Sequence, residues 1–255
     1  MFFLYMSEHS NKKKLIDHKS KLPLHVQVED YLRKLIGMDK FKKGLFLPKE
    51  VEVDYTVLGS EYGRWPLVRG KMSEHSVIYS FGVGQDISFD LEAINLFQCP
   101  IFAFDPTPKA VQWIRQQHTP PQFHFFELGI GASVGEMTFH SPKTESHVSY
   151  TVSDRAASTT NSVVAPVADL RTIMQRLNHS QIDVLKLDVE GAEYAVIDSL
   201  CSQGILPQQL MIEFHHGMYG YRLSDTKKAL ATLSSVGYRR YYVSETGREL
   251  GFLSC

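Results

Sequence analysis

The stretch Val77-Ile78-Tyr79-Ser80-Phe81-Gly82-Val83-Gly84 decides the fold that this sequence predicts. A short apolar run that ends in turn residues is typical of a buried parallel strand. Gly82 and Gly84 let the backbone of a strand-to-helix turn come close to a ligand. The next apolar run, Ile101–Phe104, ends in Asp105, whose carboxylate can accept hydrogen bonds from the two hydroxyls of a ribose. We therefore expect a nucleoside-containing cofactor at the carboxyl edge of a parallel sheet.

Beyond this stretch, strand and helix patterns alternate to the end of the chain. Strands are predicted at residues 77–81, 101–104, 123–128, 163–167, 182–187 and 210–214, and helices at residues 87–97, 109–117, 170–177, 192–200 and 224–236. Repeated βα units predict an α/β fold with a doubly wound, mostly parallel sheet. An added strand is expected at residues 136–140. Residues 238–243 and 250–253 are expected to form an antiparallel C-terminal hairpin at the sheet edge.

Two segments lack this alternation. Residues 1–74 are predicted to form an N-terminal arm or cap, and residues 75–255 the main domain. Within the arm, residues 26–36 have helical spacing, and residues 59–66 form a glycine-punctuated loop with an aromatic pair and an arginine. Residues 141–162 are rich in Ser and Thr, which predicts a surface loop. We expect substrate choice to depend on the arm and on this loop.

Composition limits the classes of function. With 255 residues, 43% of them hydrophobic, the chain can bury a substantial core. A formal net charge of −1 argues against a nucleic-acid partner. The apolar start at residues 1–6 is too short for a membrane span, although it is compatible with the remnant of a longer anchored parent. Three scattered cysteines predict reduced thiols, no zinc site and a reducing compartment. We therefore expect a soluble, cytoplasmic protein, and the oligomeric state cannot be predicted.

The residues after Gly84 distinguish between nucleoside cofactors. A dinucleotide fingerprint places a third glycine three residues after Gly84, and this chain has Ile87 there. Asp86 would repel a pyrophosphate, whereas it would suit the ammonium of a methionine moiety. S-adenosylmethionine therefore fits this turn better than NAD.

Two later segments carry a family resemblance. Residues 185–193, Leu-Lys-Leu-Asp-Val-Glu-Gly-Ala-Glu, and residues 211–215, Met-Ile-Glu-Phe-His, resemble the FkbM-type methyltransferases. In that family one strand ends in Asp-Val-Glu-Gly-x-Glu, and the next ends in an acidic residue near a histidine. Residues 104–108 are similar to the family's acidic-Pro-x-Pro element, and residues 128–139 to its turn and extra strand. The Ser-Phe-Gly-Val-Gly opening is closer to the methyltransferase-like 24 branch.

The resemblance covers residues 77–214 and implies a Rossmann-like, S-adenosylmethionine-dependent class I methyltransferase. The family's first strand usually carries an acid two residues before the first glycine, at the position that Ser80 occupies in this chain. We expect Asp86 to supply the missing negative charge. The residues predicted to contact the cofactor are Phe81, Gly82, Gly84, Asp86, Asp105, Pro106, Leu128 and Gly129.

The candidate catalytic residues lie where strand ends converge. His215 is the predicted base, because an unperturbed imidazole titrates near neutral pH. Asp188 and Glu213 are predicted to orient a hydroxylated substrate, and Glu190 is a further candidate at the same strand end. A divalent cation held by Asp188, Glu213 and His215 is the less favoured alternative, and no metal is predicted. Glu193 is interpreted as a first-turn helix residue, and Lys186 as a lysine that lies at the sheet edge or is paired with a neighbouring acid.

These residues predict an S-adenosylmethionine-dependent methyltransferase that acts on a hydroxyl oxygen of a small molecule or a glycan. Two alternatives stay open. Ser80, and Asp86 at the position of the last glycine of the family's first motif, depart from the family pattern and are compatible with a methyltransferase-fold binding protein that has lost catalysis. A nicotinamide-dependent oxidoreductase is the third hypothesis, and Ile87 argues against it.

Overall fold

A computed structural model describes residues 47–140 and 162–255. The strands, in chain order, are β1 (Thr56–Leu58), β2 (Trp65–Leu67), β3 (Ile78–Phe81), β4 (Ile101–Phe104), β5 (Phe123–Phe126), β6 (Gly129–Ile130), β7 (Gly135–His140), β8 (Ser162–Ala168), β9 (Val184–Leu187), β10 (Gln209–Glu213), β11 (Tyr238–Val243) and β12 (Glu249–Ser254). The α-helices are α1 (Ser88–Phe97), α2 (Pro108–Ile114), α3 (Leu170–Leu177), α4 (Glu193–Gln203) and α5 (Leu223–Ser235).

The central sheet has seven strands in the order β11-β12-β10-β9-β3-β4-β5. Strands β10, β9, β3, β4 and β5 are parallel, whereas β12 pairs antiparallel with both β10 and β11. The predicted mostly parallel sheet and the antiparallel C-terminal hairpin are both confirmed. The strand order reverses between β3 and β9. In open α/β sheets ligands bind outside the carboxyl ends of the strands at such a switch point.

Alternation along the strands gives the sheet two buried faces. Tyr79 and Leu185 lie in the apolar cluster that includes helices α3, α4 and α5, whereas Ile78 and Val184 lie in the cluster of α1 and β2. Residues directly paired on neighbouring strands share a face. Ser80 is paired with Lys186 in this register, so both side chains are on the α1 side of the sheet.

Residues 56–67 form a hairpin that the sequence did not predict. Strands β1 and β2 pair antiparallel, and Trp65 and Leu67 are 3% and 0% exposed. Both side chains pack in the same cluster as Ile78 and Met211 of the central sheet. The hairpin was missed because each strand has only three residues and Pro66 interrupts the second. Long-range packing, not local pattern, holds it.

A second difference concerns the segment after β5. The third predicted strand ends at Phe126 instead of residue 128, and Gly129–Ile130 pairs in parallel with β8. Strand β7 pairs antiparallel with the same strand, so β6, β8 and β7 form a separate three-stranded sheet. The predicted N-cap of the third helix is confirmed, because the Asp169 carboxylate accepts the backbone N–H of Thr172.

Some predictions fall outside the described residues. They are the part of the predicted arm before residue 47, with its helix at residues 26–36, and the loop predicted at residues 141–162 except for Ser162, which begins β8. Within residues 47–140 and 162–255, none of the helices combines the length and apolar character needed to cross a membrane. Cys99, Cys201 and Cys255 are free thiols.

Replacing Trp65 by alanine is expected to lower the free energy of unfolding by about 3–5 kcal/mol, because it removes a large buried side chain. Val57→Ala is the control, since Val57 is 40% exposed on the same hairpin and should change stability by less than about 0.5 kcal/mol. Guanidinium chloride unfolding followed by circular dichroism measures both. Equal midpoints for the two variants would show that the hairpin is not packed on the sheet.

Candidate active site

The glycine turn after β3 lies directly against the end of β9. Gly82 has a φ of +73°, and a Cβ atom there would be 1.6 Å from the carbonyl oxygen of Asp188. Gly84 has a φ of +53°, but a Cβ there would meet no atom within 4 Å. Glycine at position 82 is therefore needed for the close approach of two strand ends. Position 84 faces open space at the switch point, and we call this space beside Gly84 the cradle.

Asp105 lies beside this turn, as predicted, but much of its carboxylate is already engaged. It is 5% exposed; its Oδ2 accepts the N–H of Gly84 at 2.9 Å, and its Oδ1 accepts the N–H and the hydroxyl of Thr107 at 2.9 and 2.6 Å. Burial raises the pKa of Asp105, and the hydrogen bonds from Thr107 and Gly84 oppose that effect. A carboxylate has about four acceptor positions. A ribose hydroxyl would donate to the remaining acceptor position of Oδ2.

Asp86 connects the turn to the loop between β1 and β2. Its Oδ2 accepts the hydroxyl of Ser60, and its Oδ1 accepts the N–H of Ser88, the first residue of α1, at 2.8 Å. Burial opposes ionisation, but the hydrogen bonds from Ser60 and Ser88 outweigh it and lower the pKa of Asp86. The carboxylate is thus negatively charged at neutral pH and fixed beside the cradle.

Lys186 is a buried ammonium beneath the turn. It is 4% exposed, its Nζ lies 3.4 Å from the carbonyl oxygen of Gly82 and 3.5 Å from that of Phe81, and it is 5.0 Å from the centre of the Trp65 ring. Its charge favours ionisation of Asp86, Asp90, Asp105 and Asp188. The expected position at the sheet edge is wrong, because β9 is an inner strand of the central sheet. Lys186 acts on the four carboxylates through its charge, while its nearest polar contacts are the two backbone carbonyls.

Asp90, on α1, was not selected by the sequence analysis. It is 1% exposed, and within the described residues neither its carboxylate oxygens nor the Ser80 hydroxyl has a hydrogen-bond partner. Burial raises the pKa of Asp90 to about 6 against the attraction of Lys186. The Ser80 hydroxyl also lowers this pKa, although the two groups do not reach hydrogen-bonding geometry. The sequence signal that could have identified it is an acid between two apolar residues, Phe89 and Leu91, in the first turn of α1.

The structure brings the four predicted catalytic residues together at the ends of β9 and β10. The Nε2 atom of His215 lies 3.1 Å from Oε2 of Glu190 and 3.7 Å from Oε1 of Glu213. Asp188, Glu213 and His215 each offer one possible ligand atom, and these three atoms lie within 4.8 Å of one another, a spacing that could hold a metal ion. Neutral imidazole is the form that binds metals, so such an ion would require His215 to lose a proton.

Glu193 orients His215. It is fully buried at the first position of α4; its Oε1 accepts the backbone N–H of His215 at 2.9 Å and lies 3.2 Å from Nδ1 of the ring. Its Oε2 accepts the N–H of Gly191 at 2.8 Å. The helix position was predicted, but the side chain faces the histidine. Glu193 is therefore a positioning residue that directs Nε2 of His215 toward Glu190 and Glu213.

The charge states at this cluster are mutually dependent. Burial disfavours the His215 cation, but the hydrogen bonds and charges of Glu190 and Glu193 outweigh it, so the pKa of His215 is well above 6.5. Burial raises the pKa of Asp188 to about 6, and burial with the adjacent Asp188 raises the pKa of Glu213. His215 is thus a cation at neutral pH, and the carboxyl pair of Asp188 and Glu213 titrates nearer to neutrality. That pair is better placed to accept a proton than His215.

The remaining predicted cofactor residues lie around β4 and β6. The Phe81 ring is 1% exposed and stacks on Phe104 with ring centres 4.3 Å apart, so only its backbone is available to a ligand. A Cβ at Gly129 would lie 3.2 Å from Cγ of Pro106, which places these two predicted residues in contact. Leu128 is partly buried against the main apolar cluster.

Comparison with known proteins gives consistent matches. A family model described as the methyltransferase FkbM domain matches residues 79–240. Two proteins described as probable methyltransferase-like protein 24 are similar to this chain. The Homo sapiens protein is 26% identical over 156 residues, which cover 60% of this chain and 36% of that protein. The Rattus norvegicus protein is 35% identical over 63 residues, which cover 24% of this chain and 17% of that protein. The chain thus spans well under half the length of these relatives.

Solved structures show more distant similarity. A crystal structure of methyltransferase FkbM from Methylobacillus flagellatus KT has a TM-score of 0.45 and 10% identity, and the match covers 88% of this chain and 60% of that one. Precorrin-6y C5,15-methyltransferase from Geobacter metallireducens GS-15 has a TM-score of 0.38 and 15% identity, with 68% of each chain covered.

The variant Glu193→Gln is expected to lower the pKa of His215, because it removes a buried negative charge next to Nδ1 while keeping the side-chain shape. NMR titration of the histidine ring protons measures this change. His179 is the internal control, since its ring faces the Tyr79 hydroxyl and burial lowers its pKa. An unchanged titration of His215 in the variant would contradict the positioning role of Glu193.

The variant Asp90→Asn is expected to be more stable than the parent at pH 7 and not at pH 4. The folded protein holds the pKa of Asp90 at about 6, above the ordinary 3.8, so the folded state binds the proton more tightly and Asp90 costs stability as pH rises through this window. Asparagine does not titrate, so the gain should approach about 3 kcal/mol at most.

Urea unfolding at pH 4 and pH 7 measures the effect of Asp90→Asn. Glu136→Gln is the matched control, because the Glu136 side chain is exposed and its neutralisation should leave the pH dependence unchanged. A stability difference between Asp90→Asn and the parent that does not grow with pH would show that Asp90 is not a buried, destabilised carboxylate.

Proposed function

The chain belongs to the FkbM methyltransferase family, and on that premise we propose that it transfers a methyl group from S-adenosylmethionine to a hydroxyl oxygen of a small molecule or a glycan. The observation that carries the proposal is the contact of Gly82 with the backbone of Asp188 at the switch point. That contact makes the open cradle at Gly84 and the carboxyl pair of Asp188 and Glu213 immediate neighbours.

The charges around the cradle support S-adenosylmethionine over a dinucleotide. The charge of Lys186 acts on four carboxylates, and they are those of Asp86, Asp90, Asp105 and Asp188. An excess of negative charge attracts a sulfonium and an ammonium, and it repels a pyrophosphate. Asp105 would accept a ribose hydroxyl and Asp86 would face the ammonium of the methionine end. These residues fit the cofactor that the sequence predicted.

The proposed reaction needs alignment and one proton acceptor. S-adenosylmethionine, when bound, supplies a methyl group on a positively charged sulfur. The acceptor hydroxyl would give its proton to the carboxyl pair of Asp188 and Glu213 as its oxygen bonds to the methyl carbon and the carbon–sulfur bond breaks. The methyl ether and S-adenosylhomocysteine would then leave, and the proton would pass to water. The neighbouring His215 cation stabilises the ionised form of this pair.

Cofactor binding is tested by calorimetry with S-adenosylhomocysteine and S-adenosylmethionine. We expect the intact chain to bind both, and Asp105→Asn to weaken binding at least about tenfold, because a hydrogen bond to a charged group is lost. Glu127→Gln is the control, since Glu127 is an exposed carboxylate paired with Arg115. Absence of binding by the intact chain, or equal affinities for the parent and Asp105→Asn, would refute the proposal.

Turnover separates the enzyme from a binding protein of the same fold. The intact chain is incubated with S-adenosylmethionine and a panel of hydroxylated acceptors, and mass spectrometry detects methylated products. Adding Mg²⁺ tests the alternative use of Asp188, Glu213 and His215 as cation ligands. Cofactor binding without a methylated product, with or without Mg²⁺, would favour the catalytically inactive alternative.

A further inference from the structure

A pocket of about 340 Å³ opens between the N-terminal halves of α4 and α5 and the loop that precedes α5. We call it the tyrosine pocket. Its lining includes three aromatic and three charged side chains, namely Tyr194, Tyr219, Tyr221, Asp198, Asp225 and Lys228. Volumes of 300–1,000 Å³ are typical of small-molecule sites. The N-terminal ends of α4 and α5 follow β9 and β10, so the pocket is at the carboxyl edge of the sheet.

Tyr219 connects the pocket to the catalytic cluster. Its hydroxyl donates a hydrogen bond to Oε2 of Glu190 at 2.6 Å, and the same oxygen is 3.1 Å from Nε2 of His215. The Tyr219 side chain, which forms one wall of the pocket, is therefore hydrogen-bonded to a carboxylate of the candidate active site. A ligand in the pocket would therefore be separated from that cluster only by the Tyr219 side chain.

The backbone at this connection adopts an unusual conformation. Within residues 47–140 and 162–255, four residues other than glycine have a left-handed φ, and two of them, Gln98 and Asn178, end helices. The other two are Glu190, at +49°, and Tyr219, at +52°. They are the two partners of the hydrogen bond described above. Strained residues of this kind cluster at ligand-binding and catalytic sites.

The aromatic wall is fixed to the motif loop. Tyr194 and Tyr221 stack with ring centres 4.4 Å apart and an interplanar angle of 28°. A Cβ at Gly191 would lie 2.8 Å from the Tyr221 ring, so glycine allows that ring to approach the loop between β9 and α4. The Tyr194 hydroxyl is held 3.0 Å from Thr226 on α5. The pocket therefore has a preformed apolar surface next to the catalytic carboxylates.

The charges in the pocket select a class of ligand. Lys228 lies 3.5 Å from Asp198, and both side chains are well exposed. Asp225 accepts the backbone N–H of Arg222 and has remaining acceptor capacity. Lys228 and Asp198 offset each other, and the carboxylate of Asp225 leaves the lining with one net negative charge, which disfavours an anionic ligand. A neutral ligand with several hydroxyls can use tyrosine faces, carboxylate acceptors and an ammonium donor together, whereas a cation has no acceptor for the Lys228 ammonium.

We propose that the tyrosine pocket binds a neutral sugar unit of the methyl acceptor, next to the hydroxyl that is methylated. The inference rests on the proposed function and narrows its acceptor to a glycan or glycoside. The ring of the sugar packs on the tyrosine wall, and its hydroxyls bond to Asp198, Asp225 and Lys228. Tyr219 marks the boundary between this binding surface and the catalytic carboxylates.

The test uses the full chain and saturation-transfer NMR with the methyl glycosides of glucose, galactose, mannose and xylose. Choline is the cationic probe and glucose 6-phosphate the anionic one. At least one neutral glycoside should bind, and the Asp198→Ala/Lys228→Ala double variant should weaken it about tenfold, as expected for the loss of one or two hydrogen bonds. The control is Lys227→Ala, an exposed lysine on the same helix that does not line the pocket.

Three results would overturn the proposal: no binding of any glycoside, tighter binding of choline or glucose 6-phosphate, or equal glycoside affinity in the double variant and the parent. Calorimetry with S-adenosylhomocysteine on the same samples keeps this test separate from the proposed function. Cofactor binding without glycoside binding refutes the tyrosine pocket alone. Glycoside binding without cofactor binding refutes the methyltransferase proposal and leaves a sugar-binding site.

Discussion

The carboxyl edge of the sheet depends on a close contact between the turn after β3 and the end of the neighbouring strand β9. The turn after β3 passes so close to the carbonyl of Asp188 that a side chain at position 82 would collide with it. Lys186 strengthens this contact, because its buried ammonium on β9 faces the backbone carbonyls of Phe81 and Gly82 on the β3 side. Since β3 and β9 flank the switch point, this contact fixes the distance between the open space beside Gly84 and the acidic cluster.

A buried ammonium needs compensation, because removing a charge from water costs several kcal/mol. Lys186 obtains it from backbone carbonyls, from the carboxylates around it and from the face of Trp65. Trp65 belongs to the hairpin of β1 and β2, and Ser60 in the loop of that hairpin holds Asp86. The N-terminal hairpin therefore excludes water from the charges beneath the glycine turn. Its contribution to the site is electrostatic as well as structural.

Sequence reasoning succeeded where local pattern determines position. The carboxyl ends of parallel strands meet at one edge of a sheet, so Asp188, Glu190, Glu213 and His215 could be expected to converge because they lie at the ends of two successive predicted strands. It failed where partners come from distant segments. The backbone N–H of Val68 donates to the side chain of Gln209, 141 residues away, and that contact ties the hairpin to β10. The engagement of the Asp105 carboxylate and the direction of the Glu193 side chain are likewise tertiary facts.

The spacing of acids in residues 188–193 has a geometric reason. Glu190 and Gly191 both have left-handed backbone angles, at +49° and +109°, so the chain reverses between β9 and α4. The reversal sends three carboxylates to different partners: Asp188 toward Glu213, Glu190 toward Tyr219 and His215, and Glu193 toward the other nitrogen of His215. A straight continuation of the strand would separate these groups. The same short turn thus sets the geometry of the Asp188 and Glu213 pair, the charge of His215 and the wall of the tyrosine pocket.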